Sequence, residues 1–316
     1  MFLTQVKIPN SSFLISYEDR ILSLGSCFAE NIGTKLQQAY FLSFINPFGV
    51  LYNPLSVGQG IRYLLSEKEF TKDNLFQHGS LWSSFSHSST FSATTAAETL
   101  QKINSRLLAS RNFLSEADVV LITLGTAWVF ENVETGSIVA NCHKLPASCF
   151  KRRRLSVDEI VVELSEIIVL LREKNKDLKF AFTVSPMRHW KDGAHENTVS
   201  KSTLHLAVDR VKKSFENVEY FPAFEIMMDE LRDYRFYATD MLHPSEQAVD
   251  YIWHRFSETY FADETCQLKR ELEQLRADLN HRPLHPETQE YQLFIESVEK
   301  KKNGLIEQYP FLKVRL

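Results

Sequence analysis

The stretch that decides the fold is Ile21-Leu22-Ser23-Leu24-Gly25-Ser26-Cys27-Phe28-Ala29-Glu30. It begins as an apolar run of strand length, and apolar residues then recur at helical spacing from Phe28 to Ala39. Gly25 permits a tight turn between the two, and the start of the helix offers free N–H groups and partial positive charge. Ser26 is therefore either a cap of this helix or a nucleophile whose own N–H faces a developing oxyanion.

The same order of strand and helix recurs along the chain. Apolar runs that predict buried strands lie at 21–24, 41–45, 119–124, 179–184 and, more weakly, 218–221. Helical patterns lie at 157–174, 198–215 and 245–261. Continuous apolar strands alternating with helices indicate an α/β fold, in which helices cover both faces of a mainly parallel sheet. Ligands bind such a sheet beyond the carboxyl ends of its strands.

Residues 56–111 do not show this alternation of strands and helices clearly. They contain a Ser/Thr-rich stretch, 80–95, with aromatic residues interleaved. We interpret the region as an insertion, which either covers the mouth of the site or is a plain surface excursion.

The sequence changes in character after residue 262. Leucines recur at four-three-four spacing from Leu268 to Leu279, two prolines follow, and a second helical pattern runs from about 287 to 306. We predict a main domain over 1–262 and a C-terminal helical hairpin over 263–316. The hairpin either packs on the body or forms a subunit contact in a homo-oligomer.

The charge and the hydropathy pattern exclude some classes of partner. The formal net charge of −4 gives no basic field that would attract nucleic acid or anionic lipid. The short basic run 151–154 is typical of a solvated surface. Residues 1–12 lack the pattern of a signal peptide, and no run approaches the ~20 apolar residues of a membrane helix. We therefore expect a cytoplasmic protein without nucleic-acid or membrane partners.

Neither the cysteines nor the histidines predict a metal site. The chain has four cysteines and no CxxC pair, which indicates reduced, mostly buried thiols. His143, His189 and His195, with Asp192, lack the i, i+4 spacing of an HExxH zinc site. We predict no metal and no cofactor.

A second chemical signal is Thr239-Asp240-Met241-Leu242-His243-Pro244, which precedes the last helix of the main domain. In a turn, Asp240 can accept from one imidazole nitrogen of His243 and leave the other nitrogen to face a nucleophile. The alternative is an aspartate and a histidine that satisfy each other in a loop. Ser26 follows the first strand and His243 precedes the last helix, so both are expected at one edge of the sheet.

These motifs carry a family resemblance. Gly25-Ser26-Cys27-Phe28-Ala29 resembles the motif that names the GSCFA family, which is similar to the SGNH/GDSL hydrolases. The last motif of those hydrolases is Asp-x-x-His, and Asp240-Met241-Leu242-His243 matches it. Further stretches of the same resemblance, which spans roughly 15–260, are 46–49, 52–54, 124–128, 185–189 and 191–193. The resemblance implies a flavodoxin-like three-layer α/β/α sandwich of the SGNH-hydrolase type.

The resemblance also implies a Ser-His-Asp triad. His243 would take the proton of Ser26 as its oxygen attacks an ester or thioester carbonyl, and Asp240 would orient His243. SGNH enzymes form an oxyanion hole from the serine N–H, a glycine N–H after the second strand and an asparagine after the third. Gly49 fits the second role by position, with a simple turn glycine as the alternative.

The chain departs from this pattern at the third donor. The Gly-x-Asn of the family aligns on Gly125-Thr126-Ala127, so the asparagine is an alanine here. Losing one such donor typically costs ~10²–10³ in rate, so another group substitutes, activity is low, or the reaction differs. The candidate substitutes are Asn53, Asn141 and the Thr126 hydroxyl.

Other side chains near predicted strand ends are candidates for substrate contact. Trp128 follows the third strand and could form an apolar wall. Arg188 and His189 follow the fourth, where Arg188 either binds a carboxylate by a two-pronged contact or forms a structural salt bridge. His143 completes the set of candidate substrate-binding residues.

We therefore predict a serine esterase that acts on a small-molecule or carbohydrate ester. An O-acetylated sugar as substrate is implied by resemblance to carbohydrate esterases and not by any residue. Two alternatives remain, a non-catalytic ligand-binding module on the same fold and an O-acyltransferase. Ala127 favours the binding module.

Overall fold

The structure is a computed structural model and describes residues 4–316. The strands are β1 (Arg20–Gly25), β2 (Leu42–Ile45), β3 (Phe76–His78), β4 (Leu81–Ser83), β5 (Val119–Leu124), β6 (Trp128–Asn132), β7 (Ile138–Val139), β8 (Phe150–Arg154), β9 (Lys179–Val184) and β10 (Val218–Tyr220). The helices are α1 (Cys27–Gln38), α2 (Pro54–Leu65), α3 (Ala96–Leu114), α4 (Val157–Arg172), α5 (Ala194–Ser214), α6 (Ala223–Glu225), α7 (Glu246–Tyr260), α8 (Asp263–Leu279) and α9 (Gln289–Gln308).

The central sheet has five strands in the order β2-β1-β5-β9-β10, and all neighbouring pairs are parallel. Counting only these strands along the chain, the order is 2-1-3-4-5, which is flavodoxin-like. The predicted mainly parallel sheet is confirmed. The order reverses between β1 and β5, and ligands of such sheets bind beyond the carboxyl ends of the strands at that switch point. Ser26 follows the carboxyl end of β1, so it lies there.

Helices cover both faces of the sheet and confirm the three-layer fold. One hydrophobic cluster joins the sheet to α2, α3, α4 and α5, with Ile61, Leu164 and Leu204 among its fully buried members. The other joins the sheet to α1, α7, α8 and α9, and contains Phe28 and Ile252. Because the strands carry apolar residues on both faces, they form continuous hydrophobic runs in the sequence.

Residues 56–111 differ from the predicted insertion. Both ends of this region belong to core helices, α2 and α3, and Ile61 and Leu107 are part of the main core on one face of the sheet. Only 66–95, with the hairpin of β3 and β4, lies between the two helices. The helical period of α3 is weak in the sequence because half of its buried residues are polar, as at Thr99.

A second, antiparallel sheet with the order β7-β6-β8 has no counterpart in the sequence-based prediction. The stretch 80–95 packs against it, since the carbonyl of Phe85 accepts the N–H of Ala140 at 2.8 Å. Strand β8 contains the basic run 151–154, which lies at the solvated surface as predicted, and its arginines form ion pairs there. The pairs are Arg152 with Asp192, Arg153 with Glu159 and Arg154 with Glu196.

The C-terminal hairpin packs on the body of the protein. Leu272 of α8 is fully buried in the cluster that also contains Phe28 and Ile252. Near the chain end, Nη1 of Arg315 donates to the carbonyl of Tyr17 at 2.9 Å. A subunit contact through the hairpin stays a prediction. Over residues 4–316, no helix combines the length and the apolar character needed to cross a bilayer.

Candidate active site

Ser26 is the N-cap residue of α1, yet its side chain makes no capping hydrogen bond. The side-chain oxygen is buried, and within residues 4–316 it has no hydrogen-bond partner. An unsatisfied buried hydroxyl costs about 1–3 kcal/mol and is rare in folded proteins. The capping alternative therefore does not explain this serine, and a hydroxyl kept unpaired at a sheet edge is typical of a functional position.

Asp240 and His243 form a tight pair in the loop before α7. Oδ2 of Asp240 accepts from Nδ1 of His243 at 2.5 Å, and Oδ1 accepts the backbone N–H groups of Leu242 and His243, each at 2.9 Å. These bonds lower the pKa of Asp240 to about 2, with the N–H of His243 as the largest cause. The carboxylate therefore stays charged at neutral pH, fixes Nδ1 as the donor and leaves Nε2 free to accept a proton.

The segment after β9 lies between these two groups. Sδ of Met187 is 3.7 Å from Sγ of Cys27, next to Ser26. His189 packs edge-to-face on Tyr52 with ring centroids 5.4 Å apart. Burial, followed by the charge of Lys201, lowers the pKa of His189 to about 4, and the charge of His243 acts in the same direction. His243 is thus close enough to influence His189 electrostatically.

The segment after β9 reaches the carboxyl end of β5, because Nε2 of His189 would lie 3.4 Å from a Cβ built on Gly125, and on its other side Arg188 lines a cleft together with Asp240. A hydrogen bond between His243 and Ser26 is not among the contacts of the described residues, since the serine oxygen has no partner there. The catalytic roles of Ser26, Asp240 and His243 stay predictions.

The expected backbone donors of the oxyanion hole are engaged elsewhere. The N–H of Ser26 donates to the carbonyl of Thr123 at 3.0 Å, and the N–H of Gly49 donates to the carbonyl of Asn46 at 2.9 Å. Gly49 has a φ of 73°, in the left-handed region, which fits the alternative that it is a turn glycine. In this conformation of the site neither N–H is free for a substrate.

Each of the three candidate substitutes for the missing asparagine accepts a hydrogen bond within the protein. Asn53 caps α2, accepting the N–H of Ser56 at 2.9 Å. The Thr126 hydroxyl lies 3.0 Å from the hydroxyl of Ser200 and accepts the N–H of Trp128 at 3.1 Å. Oδ1 of Asn141 accepts the N–H of His143 at 2.8 Å.

Asn46, directly after β2, is a residue that sequence reasoning missed. Its Oδ1 accepts the N–H of Gly25 at 2.9 Å, which leaves its Nδ2 as a donor. Nδ2 is buried, and no acceptor binds it in the part of the chain that the structure describes. An unpaired donor and the unpaired hydroxyl of Ser26 thus flank Gly25. The asparagine stands in a stretch of family resemblance, but nothing in its spacing distinguishes it from a turn residue.

The remaining sequence candidates have structural partners. The guanidinium of Arg152 stacks 4.2 Å from the ring centroid of Trp128. Nε2 of His143 lies 2.9 Å from the carbonyl of Ser84, within the 66–95 segment.

Arg188 forms no salt bridge in residues 4–316, so the alternative of a structural ion pair is wrong, whereas its contact with a substrate carboxylate stays a prediction. Its guanidinium donates to Oδ1 of Asn197 at 3.0 Å and to the hydroxyl of Thr198 at 2.9 Å, both on α5. It also lies 5.6 Å from the ring centroid of Trp190. These contacts position the guanidinium at the start of α5.

An open cleft of about 530 Å³ lies beside Asp240. Its lining includes Arg188, Trp190, Arg232, Asp233, Tyr234, Tyr237, Met241 and Leu242. Several of these side chains are exposed apolar surface, notably Tyr234 at 78% and Trp190 at 54%. Exposed aromatic side chains around a concave surface are typical of a ligand site.

Metal-ligating side chains do not converge in residues 4–316, where no group of three or more His, Cys, Asp or Glu could hold an ion. The four cysteines are free and each is partly exposed, so the expectation that they are mostly buried is wrong. Burial still raises the pKa of Cys27, so its thiol is a poor nucleophile at neutral pH.

Comparison with known sequences and structures supports the family resemblance. The model of the GSCFA family matches residues 20–256, and that of the GSCFA domain protein, C-terminal domain, matches residues 272–315. A search of curated proteins found no match. Among solved structures, an acetyl xylan esterase (Est2A) from the rumen bacterium Butyrivibrio proteoclasticus is similar at 14% identity and a TM-score of 0.28. The match covers 45% of this chain and 36% of the esterase chain.

Proposed function

This chain belongs to the GSCFA family, and we propose that it is a serine esterase in which Ser26, His243 and Asp240 cleave an ester. The observation that carries the proposal is a buried, unpaired serine hydroxyl at the switch point of a flavodoxin-like sheet. A carboxylate-oriented imidazole in a neighbouring loop supports it. Ligands of this architecture bind at the switch point, so the serine stands where a substrate is expected.

In the proposed reaction, Oγ of Ser26 bonds to the ester carbonyl carbon while its proton moves to Nε2 of His243. The carbonyl electrons form an oxyanion, to which Nδ2 of Asn46 donates a hydrogen bond. Collapse of this intermediate breaks the bond to the alcohol, which leaves with the proton from His243. Water then attacks the acyl-enzyme by the same sequence of proton transfers.

This scheme requires motion at the site. Ser26 is 1% exposed, and the segment that begins at Met187 contacts its neighbour Cys27. Substrate binding must therefore displace this segment and bring His243 to Ser26. Closure of a site around its substrate is a common step in enzymes, and Gly193, with a φ of 79° and nothing near its Cβ position, is a suitable hinge.

The cleft beside Asp240 supports an ester of a ring-bearing alcohol as substrate. Trp190 and Tyr234 expose large aromatic surfaces there, which can stack on the face of a flat ring or sugar. An O-acetylated sugar fits this surface, with the small acyl group directed to Ser26 and the ring held in the cleft.

A fluorophosphonate probe tests the proposal, because it reacts only with an activated serine. We expect labelling of the wild-type chain at Ser26, located by peptide mass spectrometry, and none in Ser26→Ala. Ser115→Ala, at an exposed helix end, is the matched control and should label like wild type. Hydrolysis of p-nitrophenyl acetate should follow the same pattern, and product analysis with a sugar acceptor separates a hydrolase from an O-acyltransferase.

A ligand-binding module on the same fold is the second candidate. The engaged N–H groups of Ser26 and Gly49 favour it, since a competent oxyanion hole needs free donors. Absence of both labelling and turnover, together with saturable binding of an acetylated sugar, would establish the module and refute the esterase.

A further inference from the structure

Lys201 of α5 is a buried lysine at the carboxyl edge of the central sheet. It is 2% exposed, and its Nζ donates to the carbonyls of Gly125 at 2.7 Å and Ser185 at 2.8 Å. Leu124 and Val184 are the last registered pair of β5 and β9, and the two carbonyls belong to the next pair. The ammonium therefore joins the ends of β5 and β9 by binding carbonyls that lie beyond the last backbone hydrogen bonds between these two strands.

A neutral donor would satisfy these carbonyls equally well, so the charge of Lys201 requires another explanation. Lysine is almost never fully buried without a carboxylate partner, and none lies within salt-bridge distance of Nζ in residues 4–316. The titratable and charged groups that face it are Cys27 from α1, Arg188 and His189 from the segment after β9, and His205 on its own helix. Whenever Lys201 is protonated, the interior of the described chain thus holds a cation without a carboxylate partner.

This cation lies close to the nucleophile. Strand β5 lies between β1 and β9, so Gly125 is adjacent to the turn that contains Ser26. Cys27, the next residue after Ser26, interacts electrostatically with Lys201. Since the N–H groups of Ser26 and Gly49 are engaged in backbone bonds, an oxyanion here needs other stabilisation.

We infer that Lys201 is a positioning residue of this site: it holds the ends of β5 and β9 together, and its charge stabilises the oxyanion formed at Ser26. The inference rests on the proposed esterase function. Lys201 bonds to no substrate atom and transfers no proton, because the serine proton goes to His243 and returns to the leaving alcohol. Its effect is a fixed positive potential in a site of low dielectric constant, where such a potential is strong.

The pH dependence distinguishes this role from a purely structural one. Burial lowers the pKa of Lys201 to about 7. The positive potential is therefore present below that pH and is lost as pH rises through it. If the charge acts on the oxyanion, kcat of the wild-type enzyme declines on the alkaline side, whereas KM changes little because the ground-state ester is neutral.

The test compares Lys201→Met, which keeps the length of the side chain and removes its charge, with Lys213→Met. Lys213 lies on the same helix with a 72% exposed side chain, so its variant should behave like wild type. Turnover of p-nitrophenyl acetate is measured from about pH 5.5 to about pH 9, with thermal unfolding to verify the fold. We expect Lys201→Met to lose about 10²-fold in kcat at pH 6 with little change in KM, and to lack the alkaline decline.

Lys201→Arg, whose guanidinium stays protonated, should retain more activity than Lys201→Met and keep it above pH 7. The inference is overturned if folded Lys201→Met keeps the wild-type kcat, or loses activity but keeps the wild-type pH profile. If neither variant folds, a flat wild-type kcat between about pH 7 and pH 9 overturns it, and a decline there supports it. A wild-type chain that fluorophosphonate does not label overturns the esterase function itself, which separates the two failures.

Discussion

Gly25 lies opposite Thr123 where β1 and β5 pair, and a Cβ built on Gly25 would be 2.1 Å from the carbonyl oxygen of Thr123. The same oxygen accepts the N–H of Ser26 at 3.0 Å. Gly25 also has a φ of 134°, where side chains are disfavoured. Close approach of the two backbones thus sets the turn that places Ser26 at the sheet edge, and only glycine permits it.

Gly25→Ala should therefore destabilise the protein by more than about 3 kcal/mol, through backbone displacement as well as an unfavourable φ. Gly136→Ala is the matched control, because Gly136 also has a positive φ of 67° but no atom near its Cβ position. Chemical denaturation of both variants gives the comparison. Equal losses of stability would show that the contact with Thr123 has no special cost.

The central strands were predictable because of their burial. Runs such as Val119–Leu124 are covered by helices on both faces, so nearly every residue is apolar and the strand is visible without periodicity. The small sheet of β6, β7 and β8 was not predictable, since its strands are short and partly exposed, as at Phe150–Arg154. Its pairing depends on contacts distant in the sequence.

The candidate site was predictable only in part. Ser26, Asp240 and His243 belong to local motifs whose residue types suggest their chemistry. Lys201 shares the face of α5 that carries the buried Leu204, where a lone lysine suggests a long side chain reaching for solvent. Only the structure, in which the carbonyls at the ends of β5 and β9 accept from its Nζ, shows that the Lys201 side chain points inward. The unpaired Nδ2 of Asn46 was not predictable either, because it depends on tertiary hydrogen bonds that the spacing of residues in the sequence does not reveal.

The C-terminal hairpin should contribute substantially to stability. Leu272 is fully buried against the body, whereas Leu279, further along the same helix α8, is 41% exposed. We expect Leu272→Ala to lower the free energy of unfolding by about 2–5 kcal/mol and Leu279→Ala by less than about 1 kcal/mol. Urea denaturation measures both. Similar small losses would indicate a loosely attached appendage.

His87 should make the protein sensitive to acid. Burial lowers its pKa to about 3, and its ring packs between Phe48 and Phe70. In the unfolded chain the imidazole of His87 has a pKa of about 6.5, so below that pH the unfolded state binds a proton that the folded state excludes. Stability therefore decreases as pH falls from about 6.5 towards 3, by about 2 kcal/mol between pH 7 and pH 5 for this residue alone.

His87→Phe removes this titration and keeps an aromatic ring, so its unfolding free energy should lose about 2 kcal/mol less than wild type between pH 7 and pH 5. His254→Gln, with a side chain 65% exposed in wild type, should keep the wild-type dependence. If the unfolding free energies of all three proteins changed equally between pH 7 and pH 5, His87 would take up its proton in the folded state as well.

Asn46→Asp tests the proposed oxyanion donor. Aspartate keeps an oxygen for the N–H of Gly25 but replaces the free Nδ2 with a second, negatively charged oxygen. We expect kcat to fall by about 10²–10³-fold or more, because a donor is lost and a like charge faces the oxyanion. Fluorophosphonate labelling at Ser26 should slow in parallel. Asn217→Asp, at an exposed position directly before β10 and so at the opposite edge of the sheet, is the control, and an equal effect there would argue against a specific donor.

Asp240→Asn tests the pair that orients the imidazole. The amide is isosteric and keeps an oxygen for the N–H groups of Leu242 and His243, and the side chain is 45% exposed, so folding should be spared. The amide nitrogen of this variant would donate to Nδ1 of His243 and so favour the tautomer with the proton on Nε2. That tautomer cannot accept the serine proton.

The variant also loses the negative charge that stabilises the protonated imidazole. Turnover should therefore fall by up to ~10⁴-fold on the precedent of serine proteases. Asp209→Asn, on α5 and likewise paired with a basic side chain, Lys213, is the matched control and should leave kcat near the wild-type value. Near-normal turnover in Asp240→Asn would remove this carboxylate from the mechanism, and with it the reason for assigning His243 as the base.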